Sequence, residues 1–186
     1  KLPGLENRTL FISITGQGDG TWLVDGKGEP TCDALLWMDS RSAKIANKLA
    51  SLSTEEARFN STGTGIFAGQ QSSQLKFIES SSSDILNKSE IAFHCKDYLY
   101  MKLTNIKATD PSEACMSFGN FRNRTYDDEV IKNLGLWKRR SLLPEIIDGS
   151  KTTHPLTENA FISTGLKYRT PVSLGYLDGL CSFLGS

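Results

Sequence analysis

Apolar and polar positions alternate along this chain in short blocks. Leu10-Phe11-Ile12-Ser13-Ile14 is nearly continuous in its apolar character and predicts a buried strand over 9–15. Trp22-Leu23-Val24 predicts a second strand over 21–25, partner of the first across a glycine turn, and Asp25-Gly26-Lys27-Gly28 then carries a hairpin signal. A third strand is predicted over 34–38. Ala43, Ile45, Ala46, Leu49 and Ala50 recur at helical spacing over 42–52, and Thr54-Glu55-Glu56 opens a further short helix. After a small-residue loop over 60–65 comes a helix over 70–79, with Leu75 and Ile78 on its inner face. The Ser80-Ser81-Ser82-Ser83 run reads as a capping loop. Ile91-Ala92-Phe93-His94-Cys95 predicts a strand, with a helix over 97–103 behind it. Helices over 127–134 and 158–164 end at Gly135 and Gly165, with a connection over 141–147 between them. A last strand over 171–175 precedes a helix opening near Asp178. Strands alternate with helices and no internal repeat appears, so the expected class is α/β.

Composition narrows the function. A chain of 186 residues can bury the core of one domain. It carries 21 Lys and Arg against 21 Asp and Glu, and its longest basic cluster is Lys138-Arg139-Arg140, so nucleic acid is not an expected partner. No apolar stretch is long enough to span a bilayer. No signal peptide is visible, although the chain opens on Lys1 and not on Met. Cys32, Cys95, Cys115 and Cys181 are scattered without a Cys-x-x-Cys pair, which suits free thiols in a cytoplasmic protein better than two disulfides or a zinc site. The sequons at Asn7, Asn60, Asn87 and Asn123 are read as chance matches in a Ser- and Thr-rich chain. Used in a secreted glycoprotein, they would give a different protein.

The densest chemistry lies in Gly16-Gln17-Gly18-Asp19-Gly20-Thr21, between the first two predicted strands. Glycines let backbone and a small ligand approach closely, and the carboxyl ends of buried strands are where open α/β sheets hold ligands. A plain β-turn with a solvated Asp fits the segment equally well. It is not a phosphate loop, because the Lys-Ser/Thr ending is missing. Asp178, at the mouth of a helix, reads from the residues alone as a helix cap. His94, between Phe93 and Cys95, reads as a satisfied core histidine, and His154, before Pro155, as a surface turn residue.

Several blocks together resemble the FGGY carbohydrate kinases. Ile14 to Asp25 is similar to that family's sugar-binding turn. Trp37-Met38-Asp39-Ser40-Arg41 resembles its Trp-x-Asp-x-Arg segment, and Lys96-Asp97-Tyr98-Leu99 its Lys-Asp-Tyr/Trp-Leu helix. Thr109-Asp110-Pro111-Ser112-Glu113-Ala114 resembles its Thr-Asp-x-Ser-x-Ala loop, and Gly175-Tyr176-Leu177-Asp178 the Gly-x-x-Asp of its catalytic aspartate. The blocks stand in family order over nearly the whole chain. The turn and the stretch from Asp110 to Phe121 are most similar to the branch acting on erythritol, and more distantly to the branch acting on L-xylulose.

The resemblance implies a ribonuclease H-like fold, as in actin and hexokinase, and ATP- and Mg²⁺-dependent phosphorylation of a small polyol or ketose. It makes Asp178 the general base, with Gln17 and Asp19 gripping hydroxyls. Trp37 covers a carbon face or, alternatively, is a core aromatic. Gln71, or Gln70 beside it, stands where the family places a substrate contact. Asp39 and Arg41 are expected to pair with each other, Asp97 to cap a helix and Asp110 to clamp a turn. Other branches carry Arg-Glu or His-Gly where this chain has Gly18-Asp19, so their substrates do not transfer. Residues 1–186 are expected to form an incomplete sugar-binding domain. The family's Asp-x-Gly-Thr phosphate loop and its nucleotide-binding domain are not found in them, and the chain alone is expected to be inactive. A non-catalytic polyol-binding module is the alternative. Homodimers are common in the family.

Overall fold

A computed structural model describes residues 4–186. A short helix α1 (Leu5–Arg8) precedes β1 (Ile12–Ile14), the glycine turn and β2 (Trp22–Val24). Helices α2 (Ala43–Ala50), α3 (Glu55–Thr62), α4 (Gln71–Ser81) and α5 (Ser83–Lys88) follow. Then come β3 (Ile91–Phe93), α6 (Cys95–Thr104), β4 (Ala108–Thr109), α7 (Pro111–Phe118), β5 (Gly119–Asn120) and β6 (Thr125–Tyr126). Helix α8 (Asp128–Asn133), a 3₁₀ turn (Trp137–Leu142), β7 (Glu145–Ile146), β8 (His154–Pro155), α9 (Glu158–Thr164), β9 (Pro171–Leu174) and α10 (Asp178–Gly185) complete the order.

The strand pairing departs from the sequence reading. β1 and β2 are not partners. β1 lies parallel to β9, with Ile12 opposite Val172 and Ile14 opposite Leu174, and β8 flanks β9 antiparallel. β2 pairs antiparallel with β3, Trp22 opposite Phe93. The glycine turn therefore separates two small sheets, and each strand satisfies its backbone with a segment far along the chain. Segment 34–38 is not a strand. It makes a single bridge, Leu35 to Thr21, and only Leu35 is buried, while Leu36, Trp37 and Met38 face out. A segment with one inward side chain lacks the face a strand needs.

Caps set the helix starts. The Asp110 side chain accepts from the Ser112 N–H, Asp127 from Glu129 and Val130, and Thr157 from Ala160. Ile14, Val172, Leu174, Leu156, Ala160 and Tyr100 form one apolar cluster that fastens α6 and α9 to the β1–β9 pair. A larger one gathers Leu23, Leu75, Ile78, Phe118 and Ile131. Burying a side chain such as Leu174 contributes about 1.5–3 kcal/mol. All four cysteines are free thiols. His154 is no loose turn residue: it lies in β8 with Nδ1 2.5 Å from the Tyr100 hydroxyl. Among the described residues no helix is long and apolar enough to cross a membrane.

Candidate functional site

The β1–β9 pairing delivers two sequence-distant segments to one edge. Beyond the strands the zipper continues: the Gly175 N–H donates to Ile14 O (2.8 Å) and the Asp178 N–H to Gly16 O (2.9 Å). The glycine turn is thus tied to the start of α10. It meets three more helix starts. Gly16 packs against Lys96 of α6, the Asp19 N–H donates to Glu113 Oε2 of α7 (3.1 Å), and the Gly20 N–H donates to Gly69 O ahead of α4 (3.0 Å). Gly20 has φ +81° and lies so close to Trp22 and to Leu35 O that a Cβ would sit 2.7–2.8 Å from them, so only glycine fits. Helix N-termini concentrate positive dipole and free N–H groups at this spot.

Asp19 lies in the middle of these converging helix starts. It is 7% exposed, and among the described residues no protein group donates a hydrogen bond to its carboxylate. Burial pushes its pKa up to about 6, against the opposing pull of the His94 charge. Behind it stands a buried network. His94 Nδ1 lies 3.1 Å from Asp97 Oδ2, and its Nε2 lies 3.7 Å from Glu113 Oε2 without a hydrogen bond. Burial disfavours the imidazolium, but the Glu113 and Asp97 carboxylates outweigh it and push His94 up to about 9. Burial pushes Glu113 up to about 7. Lys96 Nζ reaches Asp97 Oδ1 (2.9 Å) and Asp110 Oδ1 (2.5 Å), all three fully buried. Burial acts to raise Asp97, yet Lys96 and His94 hold it down at about 2.

The expected site residues take different places. Asp178 opens α10 with an exposed side chain whose Oδ1 accepts from the Gly179 N–H (2.7 Å). Gln17 is half-buried within the turn. Gln71 is buried, and its Nε2 donates to Phe93 O (3.0 Å) and Gly20 O (3.4 Å), so its amide braces the turn. Gln70 is buried as well and bonds to Met116 O. Trp37 is 48% exposed, which removes the core-aromatic alternative. A Cβ on Gly69 would overlap Trp37 O at 1.8 Å, so that glycine sets how the Trp37 segment lies against the α4 start. Asp39 and Arg41 form the expected ion pair, Arg41 Nη2 to Asp39 Oδ2 at 2.6 Å.

Sequence reasoning missed His94 and Glu113. His94 is buried as expected, but not satisfied, and it stands among charges. Glu113 occupies an open position of the Thr-Asp-x-Ser-x-Ala loop, and its Oε1 has no partner although buried. A Glu on the inward face of a helix that opens Asp-Pro-Ser-Glu was the available signal. An open apolar cleft of about 510 Å³ lies between α7 and α10, lined by Pro111, Ser112, Tyr176, Leu177, Leu180 and Phe183. It adjoins the start of α10 but not Asp19, Glu113 or His94. Among the described residues no group of three or more His, Cys, Asp or Glu side chains is arranged to hold a metal ion.

Comparison with known proteins bears on the family and the fold. Residues 5–185 match the model of the FGGY family of carbohydrate kinases, N-terminal domain. The chain is 53% identical over its whole length to an erythritol kinase of Brucella abortus, of which it covers 36%. It is 25% identical over 181 residues to a xylulose kinase of Staphylococcus xylosus, covering 97% of this chain and 37% of that protein. The crystal structure of a xylulose kinase from Rhodospirillum rubrum superposes with a TM-score of 0.84 at 22% identity, over 94% of this chain and 36% of that one. The chain thus spans little more than a third of each of these proteins, and its α/β fold is that of their N-terminal part. With the family model matched from Leu5 to Gly185, this chain belongs to the FGGY family of carbohydrate kinases.

Proposed function

We propose that this chain is the sugar-binding portion of an ATP-dependent polyol kinase acting on erythritol or a similarly small polyol. One observation carries the reading: Asp19 is 7% exposed, and among the described residues no protein group donates to its carboxylate, at a turn where four helices open. Withdrawing most of a carboxylate from water without protein donors carries a desolvation cost. Vicinal hydroxyls supply the donors that offset this cost, and a carboxylate with two oxygens serves both ends of a diol.

In this reading Asp19 grips two hydroxyls and Gln17 beside it adds an amide. Exposed Trp37 covers the carbon face, with its indole N–H free for a hydroxyl. Gln71 acts as a positioning residue, bracing Gly20. Asp178, joined to the turn through Gly16, takes the proton of the reacting hydroxyl as that oxygen bonds to the terminal phosphorus of ATP and the bond from that phosphorus to the bridging oxygen breaks, with ADP leaving. ATP with Mg²⁺, implied by the family, supplies the phosphoryl group and neutralises its charge. The 186-residue chain by itself is expected to bind polyol without turning over ATP.

Titration of the full-length protein and Asp19→Ala with erythritol, ribitol, xylitol and L-xylulose tests this reading, with a melting curve beside each. Loss of about one to two decades in affinity at unchanged melting temperature supports it. A variant that binds every polyol as wild type does would make Asp19 an ordinary turn residue.

A further inference from the structure

Asp19 holds its backbone at φ +59°, a left-handed conformation that residues with a Cβ adopt only when something fixes them. Its N–H is fixed by Glu113 Oε2 at 3.1 Å. Glu113 is 1% exposed, and a neutral amide at that place would accept the same hydrogen bond with less desolvation. The charge therefore has a use of its own. Together with Asp97 it faces the ring of His94, the charged group that in turn lowers the Asp19 carboxyl. Glu113 and His94 both fall at positions that the family blocks leave open, one inside Thr-Asp-x-Ser-x-Ala and one ahead of Lys-Asp-Tyr.

We propose that Glu113 and His94 are positioning residues for polyol binding: Glu113 locks the Asp19 turn through its N–H, and the His94 cation keeps the Asp19 carboxylate ionised for the hydroxyls. The proposal rests on Asp19 being the hydroxyl grip. The charged groups around His94 and Glu113 are Lys96 and Asp97 from α6 and Asp19 from the turn, with the Cys95 thiol at the edge. Lys96 is committed to Asp97 and Asp110. His94 stands 3.7 Å from Glu113 Oε2, the atom that holds the Asp19 N–H, and its charge lowers the Asp19 carboxyl. Burial lifts Asp19 to about 6, so polyol affinity falls as pH drops through that value, and removing the His94 charge moves the fall to higher pH.

The test is calorimetric titration of the full-length protein with erythritol from pH 5 to 9, using Glu113→Ala, Glu113→Gln, His94→Gln and Asp19→Asn, each with a melting curve. Glu113→Ala should bind about ten- to a hundredfold more weakly at pH 8, and Glu113→Gln, which keeps an acceptor, should recover most of that loss. His94→Gln should lose erythritol affinity at a higher pH on acidification than wild type does. Wild-type binding by Glu113→Ala, equal weakness of Glu113→Gln, or an unmoved acid limb in His94→Gln each overturns the proposal. Should Glu113→Ala melt early, Glu113→Gln and the His94→Gln limb decide it. Erythritol lost in Asp19→Asn but kept in Glu113→Ala leaves the grip standing and refutes its support. Erythritol kept in Asp19→Asn refutes both.

Discussion

Asp19 and Asp178 reach the same edge of the β1–β9 pair and stand in opposite surroundings. Asp19 is buried, lifted by desolvation and, among the described residues, without a protein donor, while Asp178 is exposed and bonded to its own helix. Behind Asp19 lies a rigid shell of paired charges. Around Asp178 lies α10, which buries no residue at all and leaves Phe183 81% exposed. The difference suits two tasks. A group that grips hydroxyls gains from a prebuilt, water-poor seat. A proton acceptor needs reach to its substrate more than it needs enclosure.

The strongest way to break the comparison is at the exposed end. In the full-length protein Asp178→Asn should lower kcat about 10²–10⁴-fold, raise KM far less, and leave the melting temperature unchanged. Steady-state kinetics checks this, and near wild-type kcat would reduce Asp178 to a helix cap. At the buried end the expected loss is stability. Lys96→Met strands Asp97 and Asp110 without their cation and should cost about 3–5 kcal/mol, read by urea unfolding. The Asp97 carboxyl is depressed to about 2, so its contribution is present above its ordinary value of 3.8. It fades as pH falls from there towards 2, and in Lys96→Met that acid loss should shrink. Smallest of all is Arg41→Ala. Its pairing with Asp39 is exposed and screened, so unfolding should shift by less than about 1 kcal/mol. A larger shift would show that the Trp37 segment depends on that pair.

What could be read beforehand follows from range. Local signals held: Leu75 and Ile78 on the inner face of α4, Gly165 ending α9, the α10 start at Asp178. The special turn at Asp19 was also a local signal, since three glycines around one Asp mark it. The β1–β9 pairing was not legible, because periodicity shows that a strand is buried but not which distant strand lies beside it. Segment 34–38 misled for a related reason: Leu36, Trp37 and Met38 are as apolar as a strand requires, yet they face outward. His94 and Glu113 lie on different helices, and only packing makes them neighbours. Their role rests on distance and burial, which spacing along the chain does not contain.

The central claim is that an ionised, buried Asp19 grips the polyol. Its most direct test is the pH dependence of erythritol affinity in the full-length protein, wild type against Asp19→Asn. In wild type, affinity should be level above about pH 7 and fall as pH drops through about 6, because the carboxylate accepts stronger, charge-assisted hydrogen bonds from hydroxyls than its protonated form does. Asp19→Asn should bind weakly at every pH, with that dependence gone. A wild type whose affinity is flat from pH 5 to 8, or an Asp19→Asn variant that keeps the same acid limb, would contradict the account.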